Sequence, residues 1–339
     1  MTLTVPLMSK GARARDGFLP SLKRFADHFG VAKLPPKAAL ICASIAVVLT
    51  PACTPRYQHL VERDLSATDS LTCPGYVVWN QEPVRDVFVV INGSGILSNA
   101  FVHPSFQKVL STHRVAYATY DKPGIRAPFD DPAAVSRNDA LIERYTLGHG
   151  VACATETLRW ARERFGASVR LHVRGHSEGT LVALYTYDTL LESDAELARQ
   201  LETFMLSGLA LEPFGEILEH QLAWLPEGAR VRKALASCDW PTLRDRLGIS
   251  CAYVEDATRR PSGRAMFERL ATRAPAARFI VFHGNSDRNT PTEPVRTLEA
   301  WNASERHLEM EFHYYDGGHA GSEAARAEMA RLYAAIVSR

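Results

Sequence analysis

The sequence predicts an α/β protein: a mostly parallel central β-sheet flanked by helices on both faces, with a helical insertion late in the chain. Three observations carry that expectation. Short apolar runs ending in glycine or a turn signal recur along the chain, amphipathic stretches of helical period separate them, and the alternation lapses once, over residues 212–275. With 339 residues, 46% of them hydrophobic and 23% charged, the chain can bury the core of one substantial domain or two modest ones.

The elements follow in order. Residues 54–70 are polar and without period, so 54–75 reads as a linker, with a short early strand at Val77–Trp79. Asp86 to Gly95 (DVFVVINGSG) is a continuous apolar run closed by glycines, as expected of a strand buried on both faces that opens into a tight loop. His103 to Thr112 fits a short helix. Arg114 to Asp121 is a strand, closed by the turn signal Lys122-Pro123-Gly124. Ala152 to Phe165 is an amphipathic helix closed by Gly166. Val169 to Val173 is a strand, Glu178 to Leu191 a helix, and Thr203 to Leu206 a strand. The first of these strands poses a conflict, because Arg170 and His172 alternate with apolar residues where a central parallel strand should be enclosed on both faces; each needs a buried partner.

Residues 212–275 are too long for a plain loop and should hold helices of their own, read here as a lid over the ligand site, with an ordinary helical excursion as the alternative. The sheet then resumes at Arg278–Gly284, followed by a helix around Pro294–Trp301, a strand at Met310–Tyr315 and a closing helix at Ser322–Val337.

Charge and cysteine usage bound the context. Residues 1–37 carry seven basic and two acidic residues, net +5, which leaves the remainder at −4 out of a total of +1. A mildly acidic body offers no continuous basic surface, so nucleic acid is not expected as a partner. Behind the basic segment, the fifteen residues Ala38–Ala52 hold no charge and end in small residues, the form of a signal-peptide apolar region. The run is short of the roughly 20 residues that span a bilayer, and Pro51 breaks it. Export with cleavage, to the periplasm or the outer face of a bacterial membrane, is the first reading. Lipidation at Cys53, whose flank Leu49–Cys53 resembles a lipoprotein processing site, an uncleaved anchor that tethers the chain to the membrane, and a buried N-terminal helix are the alternatives. The body cysteines are Cys73, Cys153, Cys238 and Cys251; none forms a C-x-x-C pair, and Cys238 with Cys251 could close a short disulfide loop in an oxidising compartment.

The chemistry gathers around Gly175-His176-Ser177-Glu178-Gly179. A G-x-S-x-G pattern carries a nucleophile when a strand precedes it and a helix follows, because the tight turn then projects the hydroxyl from the sheet. Here the strand stops at Arg174 and an apolar helix begins at Thr180. A serine nucleophile needs a base in contact and a carboxylate to orient that base. Asp287, just past the strand at Phe282, and His319, in the glycine-containing loop Tyr314–Ser322, supply both in the chain order Ser, Asp, His. Glu178 offers its backbone N–H to an oxyanion, and Ser94, in the Ile91–Gly95 loop, is the second donor. Asp316 and Glu212 are weaker candidates for the acid, and His176 and His283 are read as structural. Asp121, Arg126 and Glu212 are candidate substrate contacts, with an internal ion pair as the alternative for Asp121 and Arg126. His103, His113 and His313 are dispersed singletons without metal-ligand spacing, and the scheme calls for no metal and no organic cofactor.

These pieces together resemble the α/β-hydrolase superfamily over about Tyr76 to Arg339: INGSG as the oxyanion loop, YDKPG after the next strand, GHSEG as the nucleophile elbow, HGNSDRNTP as the acid loop and GGH as the base loop. Where the family carries His-Gly in the oxyanion loop, this chain has Asn92-Gly93. The resemblance implies an eight-stranded, mostly parallel sheet, a Ser177-Asp287-His319 site and hydrolysis through an acyl-enzyme. A small carboxylic ester is the expected substrate. An amide or peptide hydrolase of the same fold, and a non-catalytic surface-associated binding protein on this scaffold, are the alternatives.

Overall fold

The structure is a computed structural model, and it describes residues 57–339 apart from 69, 274–276 and 306. The basic segment, the apolar run and the lipidation candidate Cys53 lie outside the described residues. Among the described residues no helix is long and apolar enough to cross a membrane.

The strands are β1 (His59–Thr68), β2 (Leu71–Trp79), β3 (Asp86–Ile91), β4 (Val115–Tyr120), the two-residue pair β5 (Ile125–Arg126) and β6 (Ser136–Arg137), β7 (Arg170–His176), β8 (Leu201–Ser207), β9 (Arg278–Gly284) and β10 (Glu309–Tyr315). The helices are α1 (Pro104–Thr112), α2 (Asp139–Glu143), α3 (Leu147–Phe165), α4 (Glu178–Ser193), α5 (Ala195–Arg199), then α6 (Phe214–Trp224), α7 (Gly228–Ser237), α8 (Trp240–Arg246), α9 (Cys251–Arg259) and α10 (Gly263–Arg273), and finally α11 (Thr292–Glu305) and α12 (Glu323–Val337).

Eight strands form one sheet in the order β1-β2-β4-β3-β7-β8-β9-β10. Only β2 runs against its neighbours β1 and β4; the rest of the ladder is parallel. Along β3 the side chains alternate faces: Val87, Val89 and Ile91 join α3, α4 and α10 in one core, while Phe88 and Val90 join α1 and α12 in the other. Burial on both faces is why this strand reads as an unbroken apolar run. From β3 the chain steps to β4 on one side and then returns to β7 on the other, so the crevice at the carboxyl ends of β3 and β7 is the topological switch point where such sheets bind ligands.

The expected linker at 54–75 is corrected. Residues 59–68 are β1, and β2 begins at Leu71. β1 is an edge strand whose residues are exposed except for buried Leu65 and half-buried Ala67, so it lacks the apolar alternation that would announce it. A disulfide between Cys73 of β2 and Cys153 of α3 ties this edge to the body across 80 residues. In the chain-entropy picture a loop of that length contributes about 4 kcal/mol.

The helical insertion between β8 and β9 has a small core of its own, built from Leu218, Leu222, Val231, Ala234 and Leu243. Cys238 and Cys251 are disulfide-bonded within it, joining the end of α7 to the start of α9.

The polar residues of β7 have partners. Arg170 lies in register with Asp86 of β3, with its Nε 2.7 Å from Asp86 Oδ1, and His172 Nε2 donates to the same oxygen at 3.0 Å while its ring stacks on Phe88. Burial raises the Asp86 pKa, but the hydrogen bonds from His172 and Arg170 and then their charges outweigh it, so the carboxyl is held below its ordinary value. Asp86→Asn is therefore expected to cost about 3 kcal/mol at neutral pH. The unfolded chain takes up the proton first as pH falls, so the wild-type advantage is complete above about pH 4 and shrinks below it. Urea unfolding of both proteins at neutral and at acid pH checks this, and a constant gap would contradict it.

Candidate active site

Ser177 sits between β7 and α4 with φ 54° and ψ −122°, a conformation that L-residues rarely adopt. Such a conformation costs of order 1–3 kcal/mol and persists only where the surroundings enforce it. The flanking glycines show the enforcement. A Cβ on Gly179 would lie 2.2 Å from the Ile91 carbonyl oxygen at the end of β3, and one on Gly175 would lie 2.5 Å from the Gly179 oxygen. The elbow is pressed directly against the end of β3, with no room for a side chain between backbones. Gly93, in the loop that follows, packs on Ser177, where an added Cβ would come within 3.0 Å of Ser177 Cβ.

The acid and base loops meet. His319 Nδ1 is 2.8 Å from Asp287 Oδ2. Asp287 is buried and accepts from the backbone N–H of Asn289 at 2.8 Å, the N–H of Thr290 at 3.1 Å and the Thr290 hydroxyl at 2.9 Å. Burial pushes its pKa up, but the hydrogen bond and charge of His319 and then the two backbone donors prevail, and the carboxyl is held below its ordinary value. An ionised carboxylate can only accept, so His319 Nδ1 carries a proton, and in the neutral ring Nε2 is then the nitrogen with the lone pair, the tautomer of a base. The imidazole rests over Gly208, at the end of β8, where a Cβ would fall 2.7 Å from Cε1 and 3.0 Å from Nδ1. His176, the residue before the nucleophile, lies beside it with ring centroids 4.9 Å apart. Among the described residues no hydrogen bond joins Ser177 Oγ to His319.

The other residues singled out from sequence have clear fates. His176 Nδ1 pairs with the Ser207 hydroxyl at 3.0 Å, and burial, then the charge of His319, hold its pKa well below the ordinary value, so it stays neutral. His283 is fully buried, accepting from Leu209 N–H at 3.2 Å and donating to the Thr290 carbonyl at 3.0 Å, and so braces the acid loop. Asp316 accepts from Asn285 at 3.3 Å rather than from His319, and belongs to loop structure. His103 caps α1 and His313 pairs with Glu311.

One candidate substrate contact, Asp121, is corrected, and Arg126 takes the ion pair that was its alternative. Asp121 is completely buried and accepts from Tyr76, Ser98 and the Asn99 N–H, so it anchors the segment that follows β3 and is closed to substrate. Arg126 points to the sheet edge, where it pairs with Asp64 of β1. Glu212 stands half-buried between β8 and α6, and among the described residues it has no hydrogen bond or ion pair.

Sequence reading missed two supports of the site. Asn92 accepts from Arg174 at 3.4 Å and donates to Asn99 at 2.9 Å, so this asparagine ties the loop after β3 into a polar network. Glu178 also brings a buried side chain to the site. Its carboxylate, 4% exposed, meets Lys122 Nζ at 3.0 Å. These partners lie 82 and 56 positions apart, and no local pattern announces them.

The insertion touches both rims. Gln221 and Trp224 of α6 donate to the Asn289 and Arg288 carbonyls of the acid loop at 3.0 and 2.8 Å. On the other side Gly248, between α8 and α9, approaches Gly95 of the oxyanion loop so closely that a Cβ would lie 2.8 Å from the Gly95 Cα.

No protein-family model and no curated protein matches the chain. Solved structures do match. A lipase in its open form superposes with a TM-score of 0.57 at 16% identity, covering 83% of this chain and 99% of that one. A highly thermostable carboxyl esterase from Bacillus coagulans, in complex with glycerol, superposes at 0.55 with 14% identity, over 83% and 98%. A puromycin-hydrolyzing peptidase of Mycobacterium tuberculosis superposes at 0.55 with 12% identity over 86% of this chain, which spans 40% of that one. Likeness at these identities establishes the fold.

The seat of the imidazole is testable. Gly208→Ala should push His319 off its position and lower turnover by on the order of 10²-fold, the cost of a misplacement of about 1 Å. Circular dichroism would confirm that the fold is kept, and unchanged turnover would contradict the assignment of this seat.

Proposed function

On the α/β-hydrolase fold, which this chain has, we propose that it is a serine hydrolase cleaving small carboxylic esters through an acyl-enzyme. The observation that carries the reading is the Asp287–His319 hydrogen bond, in a fold whose strand-to-helix elbow holds Ser177 in a strained turn. A carboxylate enclosed by three donors besides the imidazole, with the imidazole seated on a glycine, is an arrangement for fixing one tautomer of a base.

In this mechanism Ser177 Oγ attacks the substrate carbonyl while His319 Nε2 accepts its proton. The contact between them closes as substrate binds, since catalytic hydrogen bonds are often long in ligand-free proteins and tighten in the complex. Negative charge gathers on the carbonyl oxygen, which accepts from the Glu178 and Ser94 backbone N–H groups at the positive end of α4. The tetrahedral intermediate collapses as His319 returns its proton to the leaving alcohol, leaving Ser177 acylated. Water, deprotonated by His319, then releases the acid.

Esters rank above amides because this chain spans 98–99% of the lipase and the carboxyl esterase but 40% of the peptidase. Amide or peptide cleavage is the second reading, favoured by Glu212, a half-buried carboxylate without a partner among the described residues that could receive a substrate amine. The helical insertion acts in either case as the lid, bridging acid and oxyanion loops. Export to an oxidising compartment is part of the proposal, supported by the two disulfides and by the basic and apolar leader, with membrane attachment through that leader as a variant.

Ser177→Ala is expected to lower hydrolysis of a short-chain p-nitrophenyl ester by on the order of 10⁴-fold or more while the protein stays folded. Equal rates in wild type and variant would sink the proposal. The p-nitroanilide of the same acyl group, cleaved as fast as the ester, would favour the amide reading.

A further inference from the structure

The residue after the nucleophile is an acid whose side chain the fold encloses almost completely. Glu178 is 4% exposed and Lys122 10%, with Nζ 3.0 Å from Oε1 and 3.3 Å from Oε2. A buried ion pair is weak evidence of a gain in stability, because apolar residues of similar volume often serve as well. Its position is informative instead. The same ammonium donates to the Gly93 carbonyl at 3.1 Å.

The Gly93 carbonyl and the Ser94 N–H belong to one peptide unit. In a planar trans peptide the oxygen and the amide hydrogen point in opposite directions, so whatever grips the oxygen fixes the direction of the N–H. That unit lies against the nucleophile, since a Cβ on Gly93 would come within 3.5 Å of Ser177 Oγ. The other partner of the ammonium, Glu178, carries the second backbone donor on its own nitrogen. One cation thus grips the peptide unit of one oxyanion donor and the side chain of the residue that carries the other.

We infer that Lys122 is a positioning residue for the oxyanion hole: it orients the Ser94 N–H through the Gly93 carbonyl and holds the Glu178 N–H in register with it. This rests on the serine-hydrolase reading above. Lys122 touches no reacting atom in this role. The setting extends to the insertion, because the Tyr145 hydroxyl donates to Glu178 Oε1 at 3.3 Å and the Tyr145 ring stacks on Tyr253 of α9, centroids 6.0 Å apart.

Lys122→Met alone would strand a buried carboxylate and endanger folding. The informative variant is therefore Lys122→Met/Glu178→Gln, which removes both charges and keeps the volumes close. Three quantities are read on the full chain: kcat and KM for a p-nitrophenyl ester, Ki for a trifluoromethyl ketone that forms a tetrahedral adduct, and Tm. Expected are a fall in kcat on the order of 10²-fold with KM unchanged, a parallel rise in Ki, and a Tm near that of wild type. A folded variant with wild-type kcat and Ki overturns the inference, as does a loss of kcat without a rise in Ki, or a change confined to Tm. If the double variant does not fold, Lys122→Arg is read in the same way, because a planar guanidinium cannot put its donors where a lysine ammonium sat. Wild-type values there also overturn it. A wild-type protein unable to hydrolyse the ester overturns this inference together with the function it rests on, whereas an active wild type with an indifferent variant overturns this inference alone.

Discussion

Backbone pressed on backbone at the switch point of the sheet is the constraint on which the rest of the site depends. Gly179 lies so close to the Ile91 carbonyl that no side chain fits between α4 and the end of β3, and Gly175 meets Gly179 in turn. This contact forces Ser177 into its strained turn and lifts the hydroxyl out of the sheet. It also sets the amino end of α4 beside the loop that leaves β3. The two candidate oxyanion donors are therefore neighbours because two strands that diverge in the chain converge in the sheet. Polar side chains then hold what the backbone has arranged, with Lys122 on the Gly93 carbonyl and Arg174 on Asn92.

Burial has opposite outcomes at three carboxylates, and the difference is one of hydrogen-bond partners. Asp287 and Asp86 meet histidine, with an arginine also at Asp86, and stay ionised more readily than an ordinary carboxyl. Asp121 receives only neutral donors, from Asn99, Ser98 and Tyr76 among others, and burial wins, so its pKa is raised. The first of these can orient a base; the third can only hold a loop. Sequence position does not distinguish them, since each follows or opens a strand.

What could be read in the sequence was what is local. The buried strands β3, β4 and β9 announce themselves as unbroken apolar runs, and the loops that carry Ser177, Asp287 and His319 announce themselves by glycine and polar residues directly after strands. The helical insertion was visible as a lapse in alternation. The unreadable parts depend on distant partners. β1 is an exposed edge with one fully buried side chain, so its polar sequence resembles a linker. Arg170 and His172 look misplaced until Asp86, more than 80 positions earlier, is set opposite them. The Cys73–Cys153 bond spans 80 residues, and the Lys122–Glu178 pair 56, where no spacing rule operates. Asp121 is a candidate substrate contact by sequence, and only its complete burial shows otherwise.

The insertion gives the site a roof that is stapled internally by Cys238–Cys251 and rests on both the acid and the oxyanion loops. The proposed chemistry stands or falls on a single side chain. Exposure of the folded protein to a fluorophosphonate, followed by digestion and mass spectrometry of the labelled peptide, asks directly whether that side chain is activated. Stoichiometric label on Ser177, abolished when His319 is replaced by alanine, is the result this account requires; an unlabelled protein, or label confined to another residue, would contradict it.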